Sequence, residues 1–89
     1  MRAVITVIGK DKVGILAKVS AVCAEHNANV TEVTQSVLQD LFAMIMLAQL
    51  DGCSENFIKM SDALAKLGDD TGLKIHVMHE DVFNSMHRI

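Results

Sequence analysis

The chain of 89 residues contains no proline, no tryptophan and no tyrosine, and only two cysteines. Without proline, its turns must be made by Gly, Asn and Asp. Cys23 and Cys53 are far apart and form no CxxC pair, which argues against a zinc site or a thioredoxin-type couple. Basic charge is scarce: 8 Lys and Arg stand against 11 Asp and Glu, for a net charge of -3. Nothing in this balance draws the protein to nucleic acid or to anionic lipid. No apolar run approaches the ~20 residues a membrane span needs, and Arg2 leads directly into an alternating strand pattern instead of a secretory signal. The expected location is therefore the cytoplasm. What the chain does have is apolar residues, 51% of the total. That suits a single compact domain over residues 1–89 with one core.

The stretch around which the rest is organised is Gly9-Lys10-Asp11-Lys12-Val13-Gly14-Ile15-Leu16. An apolar strand stops there and an amphipathic helix starts. Such a joint exposes the first N–H groups of the helix, and the aligned peptide dipoles favour an anion at that end by ~0.3–1 kcal/mol. A carboxylate or a phosphate can be held this way. Gly14 leaves the backbone uncovered, and Asp11 is the expected N-cap. The same spacing also fits a tight turn that lets the helix pack closely on the sheet, with Lys10, Asp11 and Lys12 as a solvated loop.

Residues Ala3 to Ile8 are almost all β-branched and apolar on both alternating faces, which predicts a central strand. From Val13 to about His26, Ile15, Leu16, Val19, Val22 and Cys23 recur at intervals of three and four, which predicts the first helix. Asn29 to about Gln39 reads as a second strand, but Val30 and Val33 cannot share a face of a regular strand. A β-bulge near Thr31–Glu32 repairs the alternation. Gln39-Asp40 turn the chain into the apolar run Leu41–Leu50, expected at the centre of the sheet. Ser54 is placed to cap a second helix carrying Phe57, Met60, Leu64 and Leu67, which Gly68 is expected to end. A turn at Asp69–Gly72 then leads to a last strand with Leu73, Ile75 and Val77 on one face. Val82, Phe83, Met86 and Ile89 line one side of a short C-terminal helix. The order βαββαβ with right-handed crossovers defines the α+β class: a ferredoxin-like sandwich, its four-stranded antiparallel sheet carrying two helices on one face. The central strands are apolar on both sides, so the open face or an edge is expected to be covered by self-association.

This architecture hosts many functions, and each must be tested against residues. RNA recognition needs stacking aromatics on the central strands, where Phe42 stands alone among Ile, Val, Met and Leu. A metal carrier of this shape would need a CxxC in the first loop, which holds no Cys. An acyl-phosphate hydrolase would want an Arg there. Ligand sensing fits best. Asp11-Lys12-Val13-Gly14-Ile15-Leu16, followed by Ala24-Glu25-His26-Asn27-Ala28-Asn29-Val30, resembles the ACT domain family of small-molecule, mostly amino-acid, sensors. Within it, the chain looks most like the small stand-alone bacterial members similar to the glycine cleavage system transcriptional repressor. The resemblance implies an amino acid held between the first loop and a neighbouring subunit, with Asp11, Val13, Gly14 and Ile15 in the loop and Asn29, Val30 and Thr31 after the helix. Where the family often has Pro and Asn, this chain has Val13 and Asp11. The implied partners are an amino acid and a second copy in a homodimer.

No catalytic group is expected, since no triad, acid–base pair or metal constellation can be assembled. His26, His76, His79 and His87 come from different elements or opposite strand faces, so no metal site and no cofactor is expected. Cys53 precedes a helix without a partner base and reads as a loop thiol, and Met44, Met46 and Met60 read as core or interface. Two functions remain: a regulatory domain that binds an amino acid through an oligomer interface, and a ligand-free dimerisation module that docks onto a protein partner.

Overall fold

A computed structural model describes residues 1–10, 14–52 and 54–86 of the chain. The elements follow in the expected order: β1 (Arg2–Lys10), α1 (Ile15–Glu25), β2 (Asn29–Leu38), β3 (Leu41–Gln49), α2 (Ser54–Thr71), β4 (Lys74–His79) and α3 (Glu80–Met86). The sheet runs β2-β3-β1-β4, with every neighbouring pair antiparallel. The two strands that are apolar on both faces, β1 and β3, therefore take the centre.

The core lies between this sheet and the two long helices. Ala3, Ile5 and Val7 of β1 stand opposite Ala48, Met46 and Met44 of β3. All six are essentially inaccessible to solvent. α1 adds Ile15, Val19 and Cys23, and α2 adds Met60 and Leu64. Burial pushes the Cys23 thiol pKa up, which makes it an inert core side chain. The expected bulge is present: the pairing passes from Val30↔Ala48 to Glu32↔Leu47 and leaves Thr31 without a cross-strand partner. Val30 and Val33 consequently share the helix side of the sheet, opposite Ala48 and Met46.

The other face is covered in part. Arg2 alternates onto that face, and its guanidinium binds the Glu80 carboxylate of α3 through two N–H groups, Nε donating to Oε2 at 2.9 Å and Nη2 to Oε1. α3 packs on β1 and β4. Near it Val4 is buried, whereas Ile8, Ile45 and Leu41 on the same face are 45%, 43% and 48% exposed. Of the side expected to dock, Phe83 is half-buried and Val82 is exposed. Ile89 lies outside the described residues.

The structure corrects the end of α2. Gly68 does not terminate the helix, and Asp69–Thr71 are helical rather than a turn. α2 ends before Gly72 (φ 76°), with the Leu73 N–H donating to the Gly68 carbonyl at 3.0 Å, the long closing bond of a Schellman motif. Gly68 is required for close approach instead: a β-carbon there would stand 2.8 Å from the Leu73 carbonyl oxygen and 3.5 Å from Ile75 Cγ1.

Two outcomes test this account. Gly68→Ala gains about 1 kcal/mol of helix propensity but drives a methyl into the Leu73 carbonyl just before β4, so urea unfolding should record a net loss of about 1–3 kcal/mol. A neutral result would mean that α2 can retreat from β4. The Arg2 hydrogen bonds lower the Glu80 pKa below its ordinary 4.5. A carboxylate depressed in the folded state stabilises it above the ordinary value and loses that contribution as pH falls through the folded value. Phe83 ring signals in an NMR titration should thus stay shifted through the ordinary carboxylate range and move to solvent-like positions only as pH falls below it. In Glu80→Gln that step should vanish.

Candidate functional site

The joint between β1 and α1 is built differently from the expectation at one point. The N-cap of α1 is Gly14, not Asp11, and among the described residues no side chain caps the helix. Gly14 has φ 83° and ψ 11°, a left-handed conformation that glycine adopts without strain and that aims the chain into the helix axis. Its carbonyl accepts the first helical bond, from the Lys18 N–H at 2.9 Å. By helix geometry the N–H groups of Ile15, Leu16 and Ala17 have no partner within the helix. A β-carbon on Gly14 would meet no described residue within 4 Å. Among the described residues, no side chain caps these donors, and they are approached over the backbone of Gly14, which is the arrangement that accepts an anion. Asp11, Lys12 and Val13 lie outside the described residues.

Of the two loop positions that are described, Ile15 contributes only backbone, because its side chain is buried in the core. The exposed neighbour is Leu16, 38% accessible. Its place in the helical stripe had assigned it to the core. Gly9, the other glycine of the stretch, belongs to β1 and serves packing: a β-carbon there would lie 2.5 Å from Leu73 Cδ2.

The second half of the expected site lies elsewhere. Asn29 opens β2 with an exposed side chain and stands opposite Gln49. Val30 is half-buried against the core. Thr31 occupies the bulge and donates its hydroxyl to the Leu47 carbonyl at 3.3 Å, which leaves the oxygen free to accept. Gly14 and Asn29 lie at opposite ends of α1, whose 11 residues separate them by ~16 Å at 1.5 Å per residue. Within one chain the two halves of the site are not brought together. The α1–β2 corner is fixed independently: Asn27 adopts φ 57°, and the Asn56 amide of α2 donates to the His26 carbonyl at 2.7 Å. Sequence reading missed Asn56, since nothing in its local pattern marks a contact 30 residues away.

A groove of about 240 Å³ runs along the β4 side of the molecule, lined by Ala65, Asp69, Leu73, Lys74, Ile75 and His76. It shares no residue with the expected site. Among the described residues no three His, Cys, Asp or Glu side chains form a metal-binding group.

A β1–α1 joint on a β2-β3-β1-β4 sheet of this kind recurs among known proteins. The ACT domain family model matches residues 2–78, and the chain belongs to that family. It is 49% identical over 88 residues to a UPF0237 protein of Methanopyrus kandleri, covering 99% of this chain and 98% of the relative. A UPF0237 protein of Listeria monocytogenes is 43% identical over the full length of both. Among solved structures, an ACT domain protein from Streptococcus pneumoniae superposes with a TM-score of 0.80 at 34% identity, covering 93% of each chain. The regulatory subunit of aspartate kinase from Thermus thermophilus shares the fold, with a TM-score of 0.68 at 24% identity over 89% of this chain and 51% of that one. A glycine cleavage system transcriptional repressor shares it as well, at 0.76 and 23%, over 89% and 47%.

If Gly14 is chosen for its backbone and not for space, Gly14→Ala should fold normally and lose about 1–2 kcal/mol, the penalty of a left-handed L-residue. The urea midpoint should fall while the slope stays constant. An unchanged midpoint would mean that the joint relaxes to a right-handed turn.

Proposed function

We propose that this chain is a non-catalytic regulatory domain that binds an amino acid at a site shared between two copies. The observation that carries the reading is the first turn of α1 beneath the left-handed Gly14, which no side chain caps and no atom crowds among the described residues. On this reading the ligand carboxylate meets the N–H groups at Ile15 and Leu16, and the exposed Leu16 side chain offers apolar surface to the ligand or the second copy. Asp11 or the Asn29 amide reads the ammonium, with Val13, Val30 and the Thr31 oxygen around it. Because Asn29 stands ~16 Å from Gly14 in its own chain, the Asn29 that serves the site belongs to the neighbouring copy. Binding then favours the assembled form over the separate chains, since a ligand shifts an equilibrium only through differential affinity.

The exposed Ile8, Leu41 and Ile45 favour a second reading, a ligand-free module that associates with itself or with another protein. A thermal-shift screen of the purified protein against the common amino acids separates the two. A ligand at about a hundred times its Kd adds about 2.7 kcal/mol to the folded state, which for a domain of this size raises Tm by about 10 °C or more. One amino acid should do so, and Asn29→Ala should abolish the shift without lowering the ligand-free Tm. A folded oligomer that no amino acid shifts would leave the ligand-free module as the function.

A further inference from the structure

We infer that the groove along β4 takes an extended peptide segment of another protein, which adds to the outer edge of that strand beside α2. Among the described residues β4 pairs with β1 alone, so it is an edge of the sheet. The outer side of an edge strand presents a row of unpaired N–H and C=O groups. The groove of about 240 Å³ lies against this edge, with Ala65 and Asp69 of α2 as one wall and Leu73 to His76 as the other. A sheet edge flanked by a pocket is the setting in which an added peptide takes up main-chain hydrogen bonds and is read through alternate side chains.

The chemistry of the two walls selects the occupant. Ile58, Asp62, Ala65 and Asp69 follow at intervals of four, three and four along α2, which puts them on one face of the helix. All four are exposed, Ile58 to 57%. Lys59 and Lys66 lie about 100° round the helix from Ile58 and Ala65, and Lys59 is turned to Glu55, 3.2 Å away. The helix wall is thus apolar surface with two carboxylates. The strand wall divides by face: Ile75 stands beside Val7 on the helix side of the sheet, while Lys74 and His76 stand beside Ile8 and Thr6 on the other. An added strand meets the carboxylates with side chains that point toward α2, and Lys74 and His76 with those that point away. A segment with lysine and valine on one face and glutamate on the other fits both. Asp62 and Asp69 stand ~10 Å apart along the helix, in reach of two lysines ~13 Å apart at strand positions i and i+4.

Neither edge of a second copy fits as well. A second β4 would bring its own α2 and set the Asp62 and Asp69 carboxylates of the two copies against one another, and like charges in opposition are unfavourable. β2, the other edge, contains no basic residue for the helix wall. The occupant is therefore a segment of a different protein. The groove shares no residue with the proposed amino-acid site, so the two stand or fall separately.

An NMR titration of the whole isotope-labelled chain, with no amino acid added, tests this with the capped peptide Thr-Lys-Glu-Val-Glu-Lys-Thr. The probe reads the same in both directions and so serves either strand orientation. Amide signals of Lys74–His79, Ala65 and Asp69 should shift and saturate with a Kd below about 1 mM, while those of β2 stay in place. Asp69→Lys should weaken this probe about fivefold and strengthen a second probe in which both lysines are glutamate. Alternate N–H groups of an added strand enter the ladder. Of two probes N-methylated at valine or at the glutamate after it, one should therefore bind normally and the other about tenfold or more weaker. No saturable shift at millimolar probe, shifts centred on β2, equal binding of the lysine and glutamate probes, or equal binding of the two methylated probes would overturn the inference. So would β4 signals that shift when the protein alone is concentrated, which would give the groove to a second copy.

Discussion

The central pair of strands sets the constraint on which everything else depends: β1 and β3 are apolar on both faces over most of their common ladder. One face holds Ala3, Ile5 and Val7 against Ala48, Met46 and Met44, and the other holds Val4 and Ile8 beside Leu47 and Ala43. A sheet of this kind needs cover on two sides, and a chain this small has two long helices to give. Both go to one side. The other receives only α3, seated where Arg2 meets Glu80, and cover extends about as far as Val4. Beyond it, Ile8, Ile45 and Leu41 remain nearly half accessible, and the far end of β2 outreaches the helices on its own side as well. The surplus of apolar surface is thus a consequence of two-sided central strands in a domain with one helical layer.

The second constraint is the crossover. A helix that returns the chain from the end of one strand to the start of the next must span the sheet, so the joint that opens it and the joint that closes it lie at opposite ends. Among the described residues, the opening joint supplies N–H groups and no capping side chain. The closing joint supplies Asn29 and the bulged Thr31 and no cluster of donors. Among the described residues, neither end alone has the mixed polarity that an amino acid, with a carboxylate and an ammonium on one carbon, requires for recognition.

How much of this was legible in the sequence depended on the range of the interactions involved. Element order, the central placement of β1 and β3, and the bulge at Thr31 were all readable, because each is written in alternation along a few residues. The bulge is the clearest case, since Val30 and Val33 could share a face in no other way. The reading failed where glycine or a cap answers to a distant partner. Gly68 looked like a helix end because glycine is common there, but its role is set by the Leu73 carbonyl packed against it. Asp11 looked like a cap because it precedes the stripe, yet the left-handed Gly14 starts the helix three residues later. Leu16 lay in the apolar stripe and faces outward, because a stripe marks the width of an amphipathic face and not how far the sheet extends beneath it. Arg2 with Glu80, and Asn56 with His26, pair across 78 and 30 residues; no local pattern contains them.

On the proposed reading, these features make the ligand and the assembly thermodynamically inseparable. If each half-site comes from a different copy, a separate chain offers the amino acid only half of its contacts, and the ratio of the two affinities fixes how far the ligand can move the association equilibrium. A ligand bound a hundred times better by the pair strengthens that pair by the same factor for each occupied site, and association strengthens ligand binding reciprocally. The bulge matters to the half-site at the start of β2. The ladder to β3 resumes beyond Thr31 at Val30 and Asn29, so Val30 and Val33 both face the core while Asn29 stays exposed opposite Gln49. A regular strand would turn Val30 away from the core. One extra residue in β2 therefore keeps the apolar face continuous and leaves the polar half-site open.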